Sequence, residues 1–295
     1  MAIKNVGIIG CGTMGAGIAQ IALQAGYLVT VNEVSRELLD KGLERIRGSL
    51  DKMKEKGLID DAHRDEMAKR LSPAVTLNEL NQCDLVIEAV VESLDVKAKL
   101  FAALDSVCKK EAIFASNTSS LSVTQIAAAT SRLKQFAGLH FFNPPALMPL
   151  VEVIRTMTTD ETILQEIIDF VKSLKKAAIV AKDSAGFIVN RLLTPYLLDA
   201  MRAVGDGVGS VEDIDAGMKL GCNHPMGPLM LADFIGLDVL YNAANILFEE
   251  YREQRYAPPP ILKRLVIMGC IGTKAGTGFY DWSDLKRPRP ALLSI

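Results

Sequence analysis

The first twenty-five residues constrain the fold more than any later stretch. An apolar run, Val6-Gly7-Ile8-Ile9, leads directly into Gly10-Cys11-Gly12-Thr13-Met14-Gly15, and apolar residues at helical spacing follow as far as residue 25. Strand, glycine-rich turn and helix succeed one another with no linker. Glycine suits the three positions where a tight turn, a close backbone approach and a helix packed on its strand leave no room for a β-carbon. A helix that begins at such a turn offers unpaired N–H groups and partial positive charge to an anion. A strand, turn and helix in this order begin the alternation expected of a mostly parallel sheet.

Later apolar runs extend that sheet. Strands are expected at residues 27–33, 84–90, 113–116, 136–142, 151–155 and 177–181, separated by helical patterns. The alternation predicts an α/β, Rossmann-type doubly wound sheet. Between residues 35 and 70 the pattern changes. Leu38, Leu39, Leu43, Ile46, Leu50 and Met53 recur at helical spacing before a break at Gly57, which predicts an inserted helical hairpin. After residue 183 the strands stop, and three helices are expected at 187–204, 211–220 and 228–251, the last interrupted by Gly236. Two domains follow, a dinucleotide-binding one over 1–183 and an all-α one over 184–295. The helical domain carries more apolar stripe than so short a segment buries alone, so a homodimer through it is expected. Residues 286–290, rich in proline and basic side chains, read as a loose tail.

Charge and cysteine usage exclude several classes. Lys plus Arg number 33 against 35 for Asp plus Glu, a net charge of −2 with no long basic block, so no nucleic acid or membrane partner is expected. No uncharged apolar stretch reaches bilayer length, and the N-terminus leaves no room for a secretory signal. Cys11, Cys83, Cys108, Cys222 and Cys270 are scattered without a C-x-x-C pair, so no metal site is expected and the thiols read as reduced, in a cytoplasmic protein.

The glycine turn gains meaning from Glu33, the acid at the end of the second strand. A carboxylate there accepts hydrogen bonds from ribose hydroxyls and repels a 2′-phosphate, which points to NAD rather than NADP. Three histidines are present, and they are the residues whose charge changes near neutrality. His63 lies on a charged helical face and His224 precedes Pro225 in a loop. His140 instead sits near the C-terminal end of an apolar strand, where open α/β sheets bind ligands. Glu152 opens the run Val151-Glu152-Val153-Ile154, where an acid among valines needs a partner. Ser116-Asn117-Thr118-Ser119-Ser120 ends another strand, and one of its hydroxyls is expected to cap the following helix. Asn190 falls in the first turns of the helix that opens the second domain, placed to point into an interdomain cleft.

At this point the residues resemble a known family. GIIGCGTMGAGIAQ, DLVIEAVVE, FASNTSSLSVTQIA, GLHFFNPP, LVEVI, KDSAGFIVNRLL, HPMGPLMLADFIGLD and KAGTGFYDW together resemble the 3-hydroxyacyl-CoA dehydrogenases over nearly the whole chain. The likeness is greatest to a stand-alone bacterial branch, the 3-hydroxybutyryl-CoA dehydrogenases. It implies NAD-dependent oxidation of a short (S)-3-hydroxyacyl-CoA and the reverse reaction. Carried over by position, His140 is the acid/base and Glu152 its partner. Ser119 holds the substrate oxygen beside the nicotinamide, and Asn190 bonds the acyl group. Gly10, Gly12, Thr13, Met14, Gly15 and Glu33 hold the adenosine half of NAD, with Glu92, Lys97, Ser119, Asn143 and Lys274 lining the rest of its site. Ser49 and Lys56, on the inserted hairpin, match CoA contacts. The sequence departs from the family at Asn143-Pro144-Pro145-Ala146-Leu147-Met148, usually N-P-V-P-V-M, and at Cys222-Asn223-His224. In a second family of 3-hydroxyacid dehydrogenases a lysine stands four residues before the helical asparagine; here Gly186 holds that place. A non-catalytic protein on the same scaffold has no use for both His140 and Glu152.

Overall fold

A computed structural model describes residues 3–291, and the chain divides into one unit up to Phe187 and another from Ile188. The first unit runs β1 (Asn5–Ile9), α1 (Thr13–Gln24), β2 (Leu28–Asn32), α2 (Arg36–Glu55), α3 (Asp61–Lys69), β3 (Leu71–Ala74), β4 (Leu85–Glu88), α4 (Leu94–Val107) and β5 (Ile113–Ser116). It continues through α5 (Val123–Ala127), β6 (Phe136–Phe141), β7 (Leu150–Arg155), α6 (Glu161–Ser173) and β8 (Ala177–Lys182). The eight strands form one sheet in the order β3-β2-β1-β4-β5-β6-β7-β8. Strands β1 to β6 are mutually parallel; β7 pairs antiparallel to β6 and parallel to β8. The fold is thus the expected doubly wound α/β sheet, with one reversal. That reversal brings the start of β7 to the edge where β1, β4, β5 and β6 end.

Alternate residues of each strand feed two separate cores. Val6 and Ile8, Leu85 and Ile87, Ile113 and Ala115, and Leu139 and Phe141 face one core with α1 and α2. Ile9, Val86, Phe114, Phe136 and Ile154 face the other, with Phe101 and Leu104 of α4 and Ile126 of α5. Burial on both faces explains why the strands read as continuous apolar runs rather than alternating ones. The Phe101 ring meets Phe114 at 5.4 Å and Phe136 at 4.7 Å between centroids. Burying each such ring contributes about 2–3 kcal/mol.

The hairpin forms where the apolar spacing placed it, with Leu39, Leu43, Ile46 and Leu50 of α2 buried. Strand β3 was not expected. Its Leu71-Ser72-Pro73-Ala74 is polar and contains proline, which lacks a ladder donor and is tolerated because the strand is an edge with β2 as its neighbour. The helix expected after the 116–120 cluster is capped not by that cluster but two residues later, by Ser122, whose hydroxyl accepts from the Gln125 amide.

The second unit contains α7 (Val189–Gly205), α8 (Val211–Gly221), α9 (Pro228–Ile235), α10 (Leu237–Tyr251), α11 (Pro260–Ile267) and the short β9 (Tyr280–Asp281) and β10 (Arg289–Pro290). The single helix expected over 228–251 is two, bent by 95°. Gly236 at the bend has φ +99°, a conformation that side-chain-bearing residues avoid. No single helix among the described residues is long and apolar enough to cross a membrane. The bent pair is apolar because Leu229, Ala232, Leu237, Leu240 and Ala244 build this unit's core. The loose tail expected at 286–290 is also corrected, since Arg289 and Pro290 pair with Asp281 and Tyr280.

Two buried carboxylates tie the last segment down. Asp233 accepts from the amides of Phe279 (3.0 Å) and Tyr280 (2.9 Å) and from Trp282 Nε1 (2.9 Å). Asp215 accepts from the amides of Leu229 (2.8 Å) and Met230 (2.9 Å) and from the Tyr280 hydroxyl (2.8 Å). Burial pushes the Asp233 carboxyl above its ordinary range, opposed by the three donors. Because all three Asp233 partners donate, Asp233→Asn turns an amide N–H toward at least one of them. The expected cost is about 3 kcal/mol, read as a lowered Tm in thermal unfolding. An unchanged Tm would remove Asp233 from the forces that hold this unit together.

Candidate active site

At the end of β1 the chain turns through Gly10, whose φ is +88°. A β-carbon there would meet the Ala89 carbonyl oxygen at 2.6 Å, and one on Gly15 would meet the Gly10 carbonyl oxygen at 1.7 Å. Around Gly12 nothing lies within 4 Å of where a β-carbon would be. The turn is crowded at both ends and open in the middle, as close approach of a diphosphate requires. Gly12 is the N-cap of α1 and has no side chain to cap it, so the first-turn amides, those of Thr13, Met14 and Gly15, stay available to an anion. Glu33, just past β2, is held against the same turn. Its Oε1 accepts from the Cys11 amide at 2.6 Å and its Oε2 from the Val34 amide at 3.2 Å. These residues fit an adenine dinucleotide without a 2′-phosphate. Arg36, the nearest cation in sequence, is exposed and paired with Asp40 at 2.9 Å.

The sheet register collects a row of polar residues on one face at this same edge. Glu88 lies opposite Ser116, Ser116 opposite Gly138, and His140 opposite Glu152. All belong to the face that elsewhere carries Val86, Phe114, Phe136 and Ile154. His140 and Glu152 are directly paired across antiparallel strands, and His140 Nδ1 lies 2.6 Å from Glu152 Oε2. The imidazole is about 5% exposed and the carboxylate fully buried. Phe142 and Phe187 rings flank the imidazole at 4.5 and 5.7 Å. A carboxylate at Nδ1 accepts that N–H and leaves Nε2 as the proton-exchanging atom. Asn117 secures the neighbouring strand end, its side-chain oxygen accepting from the Phe141 amide at 3.1 Å.

Glu92, Lys97 and Ser119 are also brought together, though not as three exposed contacts. Lys97 is fully buried, its ammonium 2.6 Å from Glu88 and 3.2 Å from Glu92. Glu92 in turn accepts from the Ser119 amide at 3.0 Å, and Ser119 is exposed. Neither Glu88 nor Asn117 was singled out from the sequence. The signal for Glu88 was of the same kind as for Glu152, an acid within an apolar strand run, here at its end in Leu85-Val86-Ile87-Glu88.

The remaining candidates lie on other elements of the two units. Asn143 is exposed in the loop after β6; Ser49 is half-buried on α2 and Lys56 exposed at its C-terminal cap. Asn190 is the second residue of α7 in the second unit. Lys274, in the same unit, pairs with Asp238 at 2.6 Å. The other histidines have local partners: His63 pairs with Asp60 at 2.6 Å, and His224 with the Tyr196 hydroxyl at 3.0 Å.

Comparison with known proteins shows the family. A family model described as the NAD binding domain of 3-hydroxyacyl-CoA dehydrogenase matches residues 5–184, and one for that family's C-terminal domain matches residues 186–282. A 3-hydroxybutyryl-CoA dehydrogenase of Bradyrhizobium diazoefficiens is 45% identical over 284 residues, 96% of this chain and 97% of the relative. The human mitochondrial hydroxyacyl-coenzyme A dehydrogenase is 44% identical over 287 residues, 95% of this chain and 91% of the relative. The crystal structure of (S)-3-hydroxybutyryl-CoA dehydrogenase from Ralstonia eutropha is 41% identical with a TM-score of 0.93, covering 96% of this chain and all of that one.

The short His140–Glu152 contact makes a spectroscopic prediction. A charge-assisted, buried N–H···O bond deshields its proton, so a proton NMR resonance is expected downfield of the backbone amides. Glu152→Gln should move it upfield and His140→Gln should remove it. A resonance indifferent to both substitutions would mean the pair is not formed in solution.

Proposed function

Because the chain belongs to the 3-hydroxyacyl-CoA dehydrogenase family, we propose that it oxidises short (S)-3-hydroxyacyl-CoA thioesters such as 3-hydroxybutyryl-CoA to their 3-oxo forms, and runs the reverse reaction. The observation that carries this reading is the buried His140–Glu152 pair, with Nδ1 and carboxylate 2.6 Å apart at the edge where β1 turns through its glycines. NAD, held by the β1 turn and Glu33, would supply the hydride acceptor in oxidation and, as NADH, the hydride donor in reduction.

The chain's own residues divide the remaining work. Gly10, Gly12 and the α1 amides of Thr13, Met14 and Gly15 bind the diphosphate, and Glu33 takes the ribose hydroxyls. Glu92, Asn143 and Lys274 complete the cofactor's surroundings. In oxidation neutral His140 accepts the 3-hydroxyl proton at Nε2; in reduction the imidazolium gives it back. Glu152 holds the ring in one orientation and tautomer and balances its charge in the protonated state. Ser119 and Asn190 orient the acyl oxygens, while Ser49 and Lys56 hold the CoA moiety. A homodimer through the helical unit belongs to the same reading, supported by exposed Leu192, Val208, Leu220, Ile267 and Met268. So does the cytoplasm, where NAD and acyl-CoA are both available.

The direct experiment is a 340 nm assay: the protein should consume NADH with acetoacetyl-CoA, and an inert protein would end this reading. Replacing NADH by NADPH sets a phosphate against Glu33. Two negative charges about 4 Å apart repel by about 1 kcal/mol in water and about 4 kcal/mol near a protein surface, so kcat/KM should drop at least about fivefold. Equal efficiency would contradict the role of Glu33. Lys56→Ala should raise KM for acetoacetyl-CoA while sparing kcat and the KM for NADH, because a contact made equally in ground and transition states is lost. An unchanged KM would return Lys56 to the solvated surface.

A further inference from the structure

The first member of the row of polar side chains, Glu88, belongs to an ion pair with no access to solvent. Glu88 and Lys97 are both 0% exposed. Glu88 Oε1 accepts from Lys97 Nζ at 2.6 Å and from the Val90 amide at 2.7 Å, while Oε2 accepts from Ser116 Oγ at 2.7 Å. Lys97 Nζ reaches on to Glu92 Oε2 at 3.2 Å and to the Asn117 carbonyl at 3.4 Å. Glu92 Oε1 then accepts from Thr118 Oγ1 at 2.5 Å, the Ser119 amide at 3.0 Å and Ser120 Oγ at 3.3 Å. Hydrogen bonds and the Lys97–Glu92 ion pair thus join the end of β4 to the backbone of Ser119.

We propose that Glu88 is a positioning residue for the reaction, acting through Lys97 and Glu92 on the loop that carries Ser119. This rests on the reading above, in which Ser119 meets substrate and cofactor. Burying two charges costs several kcal/mol per ion, and an apolar pair of similar volume would serve stability as well. What an apolar pair lacks is direction. The ammonium is a fixed point charge beneath Glu92, whose side chain is 38% exposed; with Oε1 held by Thr118, Ser119 and Ser120, the cation holds the other oxygen, Oε2. Residues 117–122 carry no helix or strand, so their placement depends on such side-chain bonds. Lys97, its ammonium committed to two carboxylates, reaches the Ser119 loop through Glu92.

The test uses the intact protein with NADH and acetoacetyl-CoA. Glu88→Gln should lower kcat about 10- to 100-fold, the loss expected of a displaced positioning group. That variant leaves Lys97 charged in a buried site, so the double variant Glu88→Gln/Lys97→Met, neutral throughout, separates folding from function. It should keep a near-wild-type Tm and still show the lowered kcat, because Glu92 has lost its cation. In a Ser119→Ala background the same double change should cost at most about twofold, since residues acting along one path do not contribute independently. A neutral double variant with wild-type kcat, or an undiminished further loss in Ser119→Ala, would overturn the positioning role. An inactive wild type would overturn the reading of function beneath it, which an active wild type leaves standing whatever the variants do.

Discussion

A sheet covered on both faces has no room for charge along its strands, and this one constraint orders everything around the site. Interior positions of β1, β4, β5 and β6 are apolar and buried. Polar groups are tolerated where the strands end and the backbone runs out of ladder partners. The chain uses that edge fully: Gly10 turns there, Glu88 and Ser116 end their strands there, and His140 stands one residue from the end of β6. Reversal of β7 then sets Glu152 opposite His140 and not at the far side of the sheet. A parallel β7 would have carried its first residues to the other edge, away from the histidine.

Each of the charges held at that edge, buried or half-buried, has a partner of the right kind. His140 has Glu152, Lys97 has Glu88 and Glu92, and Glu33 has two backbone amides. The partners differ in what they leave free. Glu152 occupies Nδ1 and leaves Nε2 for proton transfer, whereas Glu88 and Glu92 between them bind the Lys97 ammonium. The first arrangement suits chemistry and the second suits placement. Cys11, in the glycine turn itself, shows the cost of having no such partner. Burial pushes its thiol up to about 12, so it stays protonated beside the Glu33 carboxylate and takes no part in acid–base work.

Much of this was legible in the sequence, because the strongest signals are local. The glycine turn, Glu33, the hairpin spacing and the strand carrying His140 each occupy a short window. What escaped was set by tertiary context. Leu71-Ser72-Pro73-Ala74 has no strand pattern and becomes one by lying beside β2. Gly236 marks a break in the apolar pattern but not the 95° bend it makes. The tail at Arg289 and Pro290 is paired through backbone groups that composition does not reveal. Glu88 carried the same mark as Glu152, yet its partner Lys97 lies nine residues on, across a loop, and only the fold turns it inward.

The account stands on His140 as the group that moves the proton, and one comparison tests it most directly. NADH formation from 3-hydroxybutyryl-CoA can be followed at 340 nm for the native protein and for His140→Gln, with NADH affinity titrated separately by fluorescence. Loss of a general acid/base is expected to lower kcat by about 10²- to 10⁴-fold, while NADH binding, which depends on the β1 turn and Glu33, stays close to native. Near-native turnover in His140→Gln would contradict the assignment and require another proton acceptor at this edge of the sheet.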